Sequence, residues 1–220
     1  MDASRRAAVL ADADLYVVTS EEHSEGRSDL DILAAALDAG VRLVQLRDKR
    51  ASKRELYAKA EAARRLVDRY DALLILNDHL DVALAVGADG VHLGQDDLPV
   101  AAARRLAPDL VIGASSHALD QALAAEAAGA GYVNIGPIFP TATKANAPRF
   151  LGPAAIAAVA PRLRVPSTCM GGIHAGNLDE VLASGAHIVA VVTAVTRAAD
   201  PSAAAAALIA RIRAGRAPRP

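Results

Sequence analysis

The segment Gly87-Ala88-Asp89-Gly90-Val91 carries the pattern that decides the fold. Its first glycine suits the left-handed position that stops a helix, and its β-branched valine suits the start of a strand. The same pattern precedes every second strand candidate, so the chain is organised as four quarters, each with two strands and two helices. The other three copies are Ala39-Gly40-Val41, Gly129-Ala130-Gly131-Tyr132-Val133 and Gly185-Ala186-His187-Ile188-Val189.

Short apolar runs alternate with longer Ala-rich segments along the rest of the chain. The runs are continuous in hydrophobicity, which is typical of parallel strands buried on both faces. Strands are predicted over Leu15–Thr19, Val41–Leu46, Leu73–Leu76, Gly90–Leu93, Val111–Ala114, Tyr132–Ile135, Ser167–Met170 and Ile188–Val192. Helices are predicted over Asp29–Ala39, Ser52–Tyr70, Leu80–Val86, Leu98–Leu106, Ala118–Ala128, Pro153–Ala160, Gly176–Ala183 and Pro201–Arg213.

These strand–helix units predict an α/β protein whose parallel sheet closes into a single (β/α)8 TIM barrel. A doubly wound open sheet is the competing topology, but it usually breaks the regularity at a switch point. Barrels of about 200–250 residues fold as one domain. We therefore expect one domain over residues 1–220, with frayed termini at 1–11 and 214–220.

The composition excludes several classes of protein. Hydrophobic residues make up 53% of the 220 residues, and 24 Lys and Arg oppose 25 Asp and Glu, for a net charge of −1. A nearly neutral chain with 3% aromatic residues lacks the charge and the stacking groups of a nucleic-acid-binding protein. Cys169 is the single cysteine and cannot form an internal disulfide, which favours the cytoplasm. No targeting signal or membrane span is predicted. The sequence is compatible with a homo-oligomer as well as with a monomer.

Polar residues follow the carboxyl ends of nearly all the predicted strands. In a barrel these ends share one rim, where active sites lie. Loops are polar in general, which explains any single residue but explains the conjunction poorly. In chain order the residues are Gln45, Arg47, Lys49, Asn77, Asp78, Gln95, Asp96, Asp97, Ser115, Ser116, His117, Thr141, Thr143, Lys144, Gly171, Gly172 and Thr193.

The cations in this set suit a phosphate or diphosphate. Arg47 and Lys49 alternate at a strand end, so both face the same side and, with Lys144, can clamp an anion. A solvated charge run is the alternative for residues 47–50. Gly171-Gly172 allows a close backbone approach to a phosphate, although such a pair usually marks a simple turn.

Two carboxylates suit a magnesium ion. Asp78 and Asp97 follow adjacent strands and offer the hard oxygen ligands that Mg²⁺ prefers. Capping of the next helix is the alternative for each, and Asp96 competes with Asp97 for the metal role.

The remaining reactive side chains give weaker evidence of function. Cys169 lies inside an apolar strand and is expected to be a buried, inert thiol. His92 is expected to line the core or the barrel. His117 follows a strand near the proposed site and can move protons.

Together these motifs resemble those of the thiamine-phosphate synthase family, over nearly the whole chain. The most specific is Gly136-Pro137-Ile138-Phe139-Pro140-Thr141-Ala142-Thr143-Lys144. The others are Gln45-Leu46-Arg47-Asp48-Lys49, Asn77-Asp78, His92-Leu93-Gly94-Gln95-Asp96-Asp97, Gly113-Ala114-Ser115-Ser116-His117, Gly171-Gly172-Ile173 and Val192-Thr193.

The resemblance implies a Mg²⁺-dependent transferase that acts on small phosphorylated substrates. It joins 4-amino-2-methyl-5-hydroxymethylpyrimidine diphosphate to thiazole phosphate and releases pyrophosphate, through a dissociative, carbocation-like mechanism. The implied pyrimidine diphosphate ligands are Gln45, Arg47, Lys49, Asn77, Ser115 and Lys144, of which Arg47, Lys49, Ser115 and Lys144 act in catalysis. The implied metal ligands are Asp78 and Asp97, and the implied thiazole phosphate ligands are Thr141, Thr143, Gly172, Val192 and Thr193.

Three alternatives share the barrel. A thiazole tautomerase is a related isomerase in which a histidine at the His117 position matters, and it needs neither the carboxylate pair nor the Thr-x-Thr-Lys segment. A non-catalytic barrel that binds thiazole or thiamine phosphate has no need of Asp78, Asp97 or Lys144. A generic phosphate-binding isomerase leaves the Gln-x-Arg-x-Lys segment unexplained.

Overall fold

Eight parallel strands pair in chain order and close into a barrel in a computed structural model, which describes residues 1–141 and 150–215. The barrel closes because the last strand pairs with the first, with Leu15 opposite Val189 and Val17 opposite Val191. The predicted barrel is therefore confirmed. The strands are β1 (Leu15–Val18), β2 (Leu43–Leu46), β3 (Leu73–Asn77), β4 (Gly90–Leu93), β5 (Val111–Ser116), β6 (Tyr132–Ile135), β7 (Ser167–Met170) and β8 (Ile188–Val191).

Helices surround this barrel and follow nearly every strand. They are α1 (Ala3–Asp12), α2 (Asp29–Asp38), α3 (Lys53–Val67), α4 (Leu80–Val86), α5 (Val100–Leu106), α6 (Leu119–Ala127), α7 (Ala154–Val159), α8 (Leu178–Ala183), α9 (Thr193–Thr196) and α10 (Pro201–Gly215). Short 3₁₀ turns lie at Glu21–His23 and Ala160–Arg162. Within the described part of the chain, we find no helix with the length and apolar character needed to cross a bilayer.

The four repeated glycines act as the sequence predicts. Each lies just after a helix and just before an even-numbered strand, with φ of +96° at Gly40, +64° at Gly87, +96° at Gly129 and +86° at Gly185. Helix starts are fixed by side chains as well, since Ser28 and Ser52 each form a reciprocal capping box with an acidic residue three positions later.

Two apolar layers hold the barrel together. The larger one lies between the strands and the surrounding helices and includes the buried Cys169. The smaller one fills the barrel interior and includes residues from the strands and from α1. Its buried members are Val9, Leu10, Ala13, Tyr16, Val18, Leu43, Leu73, Ile75, Val111, Tyr132, Ile188 and Ala190.

Residues 3–12 form a helix, where the sequence analysis expects a frayed terminus. The reason is burial at a remote site, since Val9 and Leu10 pack with the residues that begin β2, β3, β5 and β8. The helix also forms ion pairs across the same end of the barrel, from Arg5 to Asp71 and from Arg6 to Asp89. At the other terminus α10 extends to Gly215, and residues 216–220 lie outside the described part.

Candidate active site

A cavity of about 150 Å³ lies at the carboxyl ends of the strands. Its wall contains most of the residues predicted for the site, namely Gln45, Arg47, Lys49, Asn77, Asp78, Asp97, Ser115, His117, Thr141, Gly171 and Val192. A small adjoining cleft adds Gly172 and Thr193. Thr143 and Lys144 lie outside the described residues, so the structure says nothing of their position.

The alternation at the end of β2 sorts four charged residues onto two sides. Arg47 and Lys49 line the cavity, whereas Asp48 accepts a hydrogen bond from Lys59 at 2.6 Å and Arg50 pairs with Glu22 at 2.7 Å. Arg47 is half-buried, and its burial lowers the pKa of the guanidinium while the nearby carboxylate of Asp78 opposes that shift. The alternative of a purely solvated charge run therefore does not describe Arg47.

Asp78 and Asp97 meet in the cavity wall. Burial raises the pKa of Asp78, and the hydrogen-bonded carboxyl group of Asp97 raises it further. Lys49 acts in the opposite direction, with its Nζ 3.3 Å from Asp78 Oδ2. Two carboxyl groups in contact, with one mostly exposed lysine beside them, form a site that favours additional positive charge.

Backbone geometry places both carboxylates. Asp78 has φ of +63°, a left-handed conformation that is strained for a residue with a side chain, and its N–H donates to the His92 carbonyl at 2.8 Å. Asp97 Oδ2 accepts the N–H of Gly94 at 2.7 Å. Asp96, the competing candidate, is exposed and does not line the cavity.

A second acidic cluster lies outside the cavity and was not predicted. Glu21, Asp29 and Asp48 place carboxylate oxygens within 4.8 Å of one another. Lys59 Nζ lies among them, at 2.8 Å from Glu21, 3.6 Å from Asp29 and 2.6 Å from Asp48. Burial raises the pKa of Asp29 to about 6, against the opposing effects of the Thr19 hydroxyl and the Lys59 ammonium group. Since these four residues come from separate segments, no sequence spacing reveals the cluster.

A continuous chain of hydrogen bonds runs through the barrel beneath the cavity. Gln45 Nε2 lies 2.5 Å from Tyr16 Oη, which lies 2.8 Å from Tyr132 Oη. Tyr132 Oη lies 3.0 Å from His92 Nδ1, and His92 Nε2 lies 2.9 Å from Ser115 Oγ. His92 is half-buried in the cavity wall, which agrees with its expected barrel-lining position.

Ring packing fixes Tyr16 and Tyr132, the two tyrosines of this series of hydrogen bonds. The sequence analysis missed both as site residues. The rings of Tyr16 and Tyr132 meet edge to face at 5.9 Å, and His92 stacks on Tyr132 at 5.6 Å. Gly113 makes room for them, because a Cβ there would lie 2.1 Å from the Tyr132 ring. Burial raises the pKa of both phenols, so each stays a neutral hydroxyl that can donate and accept.

The adjoining cleft is built from backbone as much as from side chains. Thr141, Gly172, Val192 and Thr193 line it, and Gly172 has φ of +63°. A Cβ on Gly172 would lie 2.4 Å from the Pro140 carbonyl oxygen, so the two loops approach as closely as only glycine permits. Thr193 begins the short helix α9, for which the sequence analysis gave no prediction.

Two reactive side chains have defined environments. Cys169 is buried, and its burial raises the pKa of the thiol to about 12, which confirms the expected inert thiol. His117 lies in the cavity wall, with Nδ1 2.5 Å from the Gly136 carbonyl oxygen. Because a carbonyl oxygen can only accept, Nδ1 carries a proton.

Comparison with known proteins gives consistent matches. A family model described as thiamine monophosphate synthase matches residues 15–195. Curated thiamine-phosphate synthases are similar to this chain, one from Chlorobium luteolum with 48% identity over 89% of this chain and 91% of its own length. Another, from Methanospirillum hungatei, is 46% identical over 88% of this chain and 94% of its own length.

Solved structures agree with this pattern. Thiamine phosphate pyrophosphorylase from Pyrococcus furiosus superposes with a TM-score of 0.87 at 36% identity, covering 94% of this chain and 98% of that one. A 3-hexulose-6-phosphate synthase superposes with a TM-score of 0.63 at 19% identity, covering 93% of this chain and all of that one, a likeness of fold alone.

Proposed function

This chain belongs to the thiamine monophosphate synthase family, and from that premise we propose that it is the transferase that makes thiamine phosphate. Its substrates are 4-amino-2-methyl-5-hydroxymethylpyrimidine diphosphate and thiazole phosphate, and pyrophosphate is the second product. One observation carries the assignment to this cavity: residues from separate strand ends that form the family-like motifs lie in one wall. They include cations for the diphosphate and a carboxylate pair for a metal.

Mg²⁺ is the metal we assign to Asp78 and Asp97. The donor set fits it, since two hard carboxylates lie in contact and burial makes their shared negative charge unfavourable without a cation. When bound, Mg²⁺ supplies positive charge to the diphosphate. The cluster of Glu21, Asp29 and Asp48 fits it poorly, because the ammonium group of Lys59 already lies within 3.6 Å of all three.

Arg47 and Lys49 are proposed to stabilise the negative charge that grows on departing pyrophosphate. Arg47 acts from a half-buried position, where charge is less screened than in water. Lys49 is mostly exposed and already pairs with Asp78, so it supplies a mobile point charge at the mouth of the cavity. Lys144 is assigned to the same task from the sequence alone.

The remaining proposed ligands orient the two substrates. Gln45, Asn77 and Ser115 hold the pyrimidine diphosphate. Thr141, Thr143, Gly172, Val192 and Thr193 hold the thiazole phosphate, so that its ring nitrogen captures the pyrimidinylmethyl carbocation. Because orientation and fixed charge suffice, no covalent enzyme nucleophile takes part.

Two broader expectations stay predictions. We propose that the whole chain is one barrel domain, for which a single cooperative unfolding transition is the expected behaviour. We also propose a cytoplasmic protein, on the basis of its single cysteine.

The test is to incubate purified protein with both phosphorylated substrates and Mg²⁺ and to detect thiamine phosphate by mass spectrometry. We expect product that disappears when a chelator is added and returns with excess Mg²⁺. Product that is insensitive to the chelator would contradict the metal assignment alone. Binding of thiazole phosphate without any product would instead favour the tautomerase, in which His117 matters, or a non-catalytic barrel.

A further inference from the structure

We propose that the hydrogen bonds from Gln45 through Tyr16, Tyr132 and His92 to Ser115, here named the interior relay, all point in one direction. In this direction Ser115 presents its hydroxyl proton to the cavity, and His92 is a hydrogen-bond donor to Ser115 rather than a base that activates it. The two tyrosines act on the serine through His92, so they are positioning residues for it, and Tyr16 also lines the cavity.

The direction is fixed at the glutamine end. The amide nitrogen of Gln45 can only donate, so Tyr16 Oη accepts from it at 2.5 Å. Tyr16 has one proton of its own, which it then donates to Tyr132 Oη at 2.8 Å. Tyr132 in turn donates to His92 Nδ1 at 3.0 Å, which leaves the imidazole proton on Nε2, facing Ser115 Oγ at 2.9 Å.

The opposite direction leaves a proton without an acceptor. If Ser115 donated to His92, each hydroxyl would have to donate toward Gln45, and with the Gln45 amide in its observed orientation the Tyr16 proton would meet the amide nitrogen. Tyr16 is 1% exposed, so a donor facing a donor there is costly. The raised pKa of both phenols keeps each hydroxyl neutral, so the count of one proton per bond holds across the physiological range.

Both ends of the interior relay line the cavity. Ser115 Oγ accepts from His92, so its own proton is available to a ligand. At the other end, no donor among the described residues bonds the Gln45 side-chain oxygen, which is therefore available as an acceptor. The relay thus fixes one donor and one acceptor in the cavity wall.

This step rests on the proposed function: the Ser115 donor and the Gln45 acceptor match one edge of the pyrimidine substrate. The edge of an aminopyrimidine carries an exocyclic amine, which donates, next to a ring nitrogen, which accepts. Gln45 and Ser115 offer the complementary acceptor and donor. A 4-oxo pyrimidine carries a carbonyl and a ring N–H along the same edge, so both contacts become unfavourable. We infer that the relay selects amino over oxo pyrimidines.

The direct test needs no substrate. Protein labelled with ¹⁵N-histidine is examined by NMR, and the His92 signals are assigned by their loss in the variant His92→Asn. We expect a neutral imidazole with its proton on Nε2. A proton on Nδ1, or a doubly protonated ring near neutral pH, would overturn the direction.

A matched pair of variants tests the positioning role. Tyr132→Phe removes the donor to His92 Nδ1, so we expect a mixed population of His92 tautomers and a rise of about 10-fold or more in KM for the pyrimidine diphosphate, with KM for thiazole phosphate little changed. Tyr57→Phe, which removes an exposed hydroxyl, is the control and should change neither. An unchanged His92 signal in folded Tyr132→Phe would contradict the relay.

The ligand assignment is tested separately. Wild-type protein should bind the 4-amino pyrimidine diphosphate about 100-fold or more tightly than the 4-oxo analogue. Equal binding of the two would overturn the selection. A relay of the expected direction in a protein that binds neither pyrimidine would refute the proposed function while the relay stands.

Discussion

The two ends of the barrel interior are built from opposite materials. The amino end is apolar and is covered by α1, whereas the carboxyl end contains amide, imidazole and hydroxyl groups that line a cavity. The apolar set is Leu10, Leu43, Leu73, Val111 and Ile188, and the polar set is Gln45, Asn77, His92, Ser115 and Asn134. The difference teaches that one end supplies stability and the other supplies binding and chemistry, so substitutions at the two ends should be separable.

The polar end is organised by hydrogen bonds among its own side chains. Thr168 donates to Asn134 Oδ1 at 2.8 Å, in addition to the interior relay. Because buried polar groups without partners are costly, this arrangement keeps the end rigid without adding apolar contacts.

The largest effect is expected from Asp97→Ala at the carboxyl end. Loss of one of two contacting carboxylates should remove the proposed metal site and lower kcat/KM by about 10³-fold, while the free energy of unfolding changes little. The measurements are a steady-state assay across a Mg²⁺ titration and a urea unfolding curve. Asp96→Ala removes a neighbouring carboxylate that does not line the cavity and should behave as wild type. A wild-type Mg²⁺ dependence in Asp97→Ala would sink the assignment.

Leu10→Ala should give the complementary result at the amino end. Leu10 is 3% exposed and packs inside the barrel, so its truncation should lower the free energy of unfolding by about 3 kcal/mol. The chemistry lies at the other end, so kcat should be unchanged well below the melting temperature. Leu106→Ala, at a side chain that is 65% exposed, is the control, with a change of about 0.5 kcal/mol or less. A large loss of kcat in folded Leu10→Ala would show that the two ends are coupled.

Gly113→Ala tests the boundary between the two ends. Its Cβ would lie 2.1 Å from the Tyr132 ring, so the ring must move, at a cost of about 2 kcal/mol in stability and with a loss of activity. Gly131→Ala is the matched control, because its Cβ would meet its nearest neighbour at an ordinary 3.6 Å. Thermal unfolding and a steady-state assay distinguish them. Equal behaviour of the two variants would mean that the Tyr132 ring has room to adjust.

The smallest effect is expected from Asp29→Asn, beside the polar end but outside the cavity. The pKa of Asp29 is raised from its ordinary value to about 6 chiefly by burial, with Thr19 and Lys59 lowering it and Glu21 and Asp48 raising it. The native state therefore binds the extra proton between about pH 4 and pH 6. Over this range the contribution of Asp29 to the free energy of unfolding decreases as pH rises, and the contribution is lost above pH 6.

An asparagine at position 29 does not titrate, so the variant Asp29→Asn has no such loss of unfolding free energy. Relative to wild type, Asp29→Asn should gain about 1 kcal/mol in unfolding free energy as pH rises from 5 to 7. The measurement is urea unfolding at several pH values. Asp120→Asn, an exposed carboxylate at the start of α6, is the control and should show a much flatter difference. A gain that decreases with rising pH would give the wrong sign and contradict the burial of a charged Asp29.

Much of this architecture follows from local sequence. The predicted bounds of β4, β6 and β7 agree with the structure at both ends, because each is a short run that is followed directly by a glycine, namely Gly94, Gly136 and Gly171. Other bounds shift by a few residues, as at β2, which begins at Leu43 rather than Val41, and β5, which continues to Ser116. At β2 the apolar run begins before the first strand pair, at Leu43. At β5 the strand pairing continues beyond the apolar run, through Ser115 and Ser116.

The site was predictable where the meeting of the strand ends is enough to bring residues together. Parallel strands bring their carboxyl ends together, so Arg47, Asp78 and Asp97 could be grouped without knowing any distance. The roles of Tyr16 and Tyr132 could not be predicted, because inside an apolar run a tyrosine has the same pattern as any other core residue. Their function depends on which ring meets which across the barrel.

The helix α1 shows the same limit for the fold. Its apolar residues are few, and its partners begin strands far away in sequence, so local pattern favours a frayed end. Only the closed barrel creates the surface that Val9 and Leu10 cover.

The four glycines that precede the even-numbered strands are needed for their backbone conformation more than for their small volume. At Gly40, Gly87 and Gly185 an added Cβ would meet nothing within 4 Å, so there is ample room for a side chain. A residue with a side chain is disfavoured there because each φ is positive, a left-handed backbone conformation that L-amino acids rarely adopt. Asparagine, which tolerates that rotation best among residues with side chains, is the natural substitute at these three positions. At Gly129 the Arg104 side chain, 3.2 Å from the added Cβ, imposes a steric demand as well.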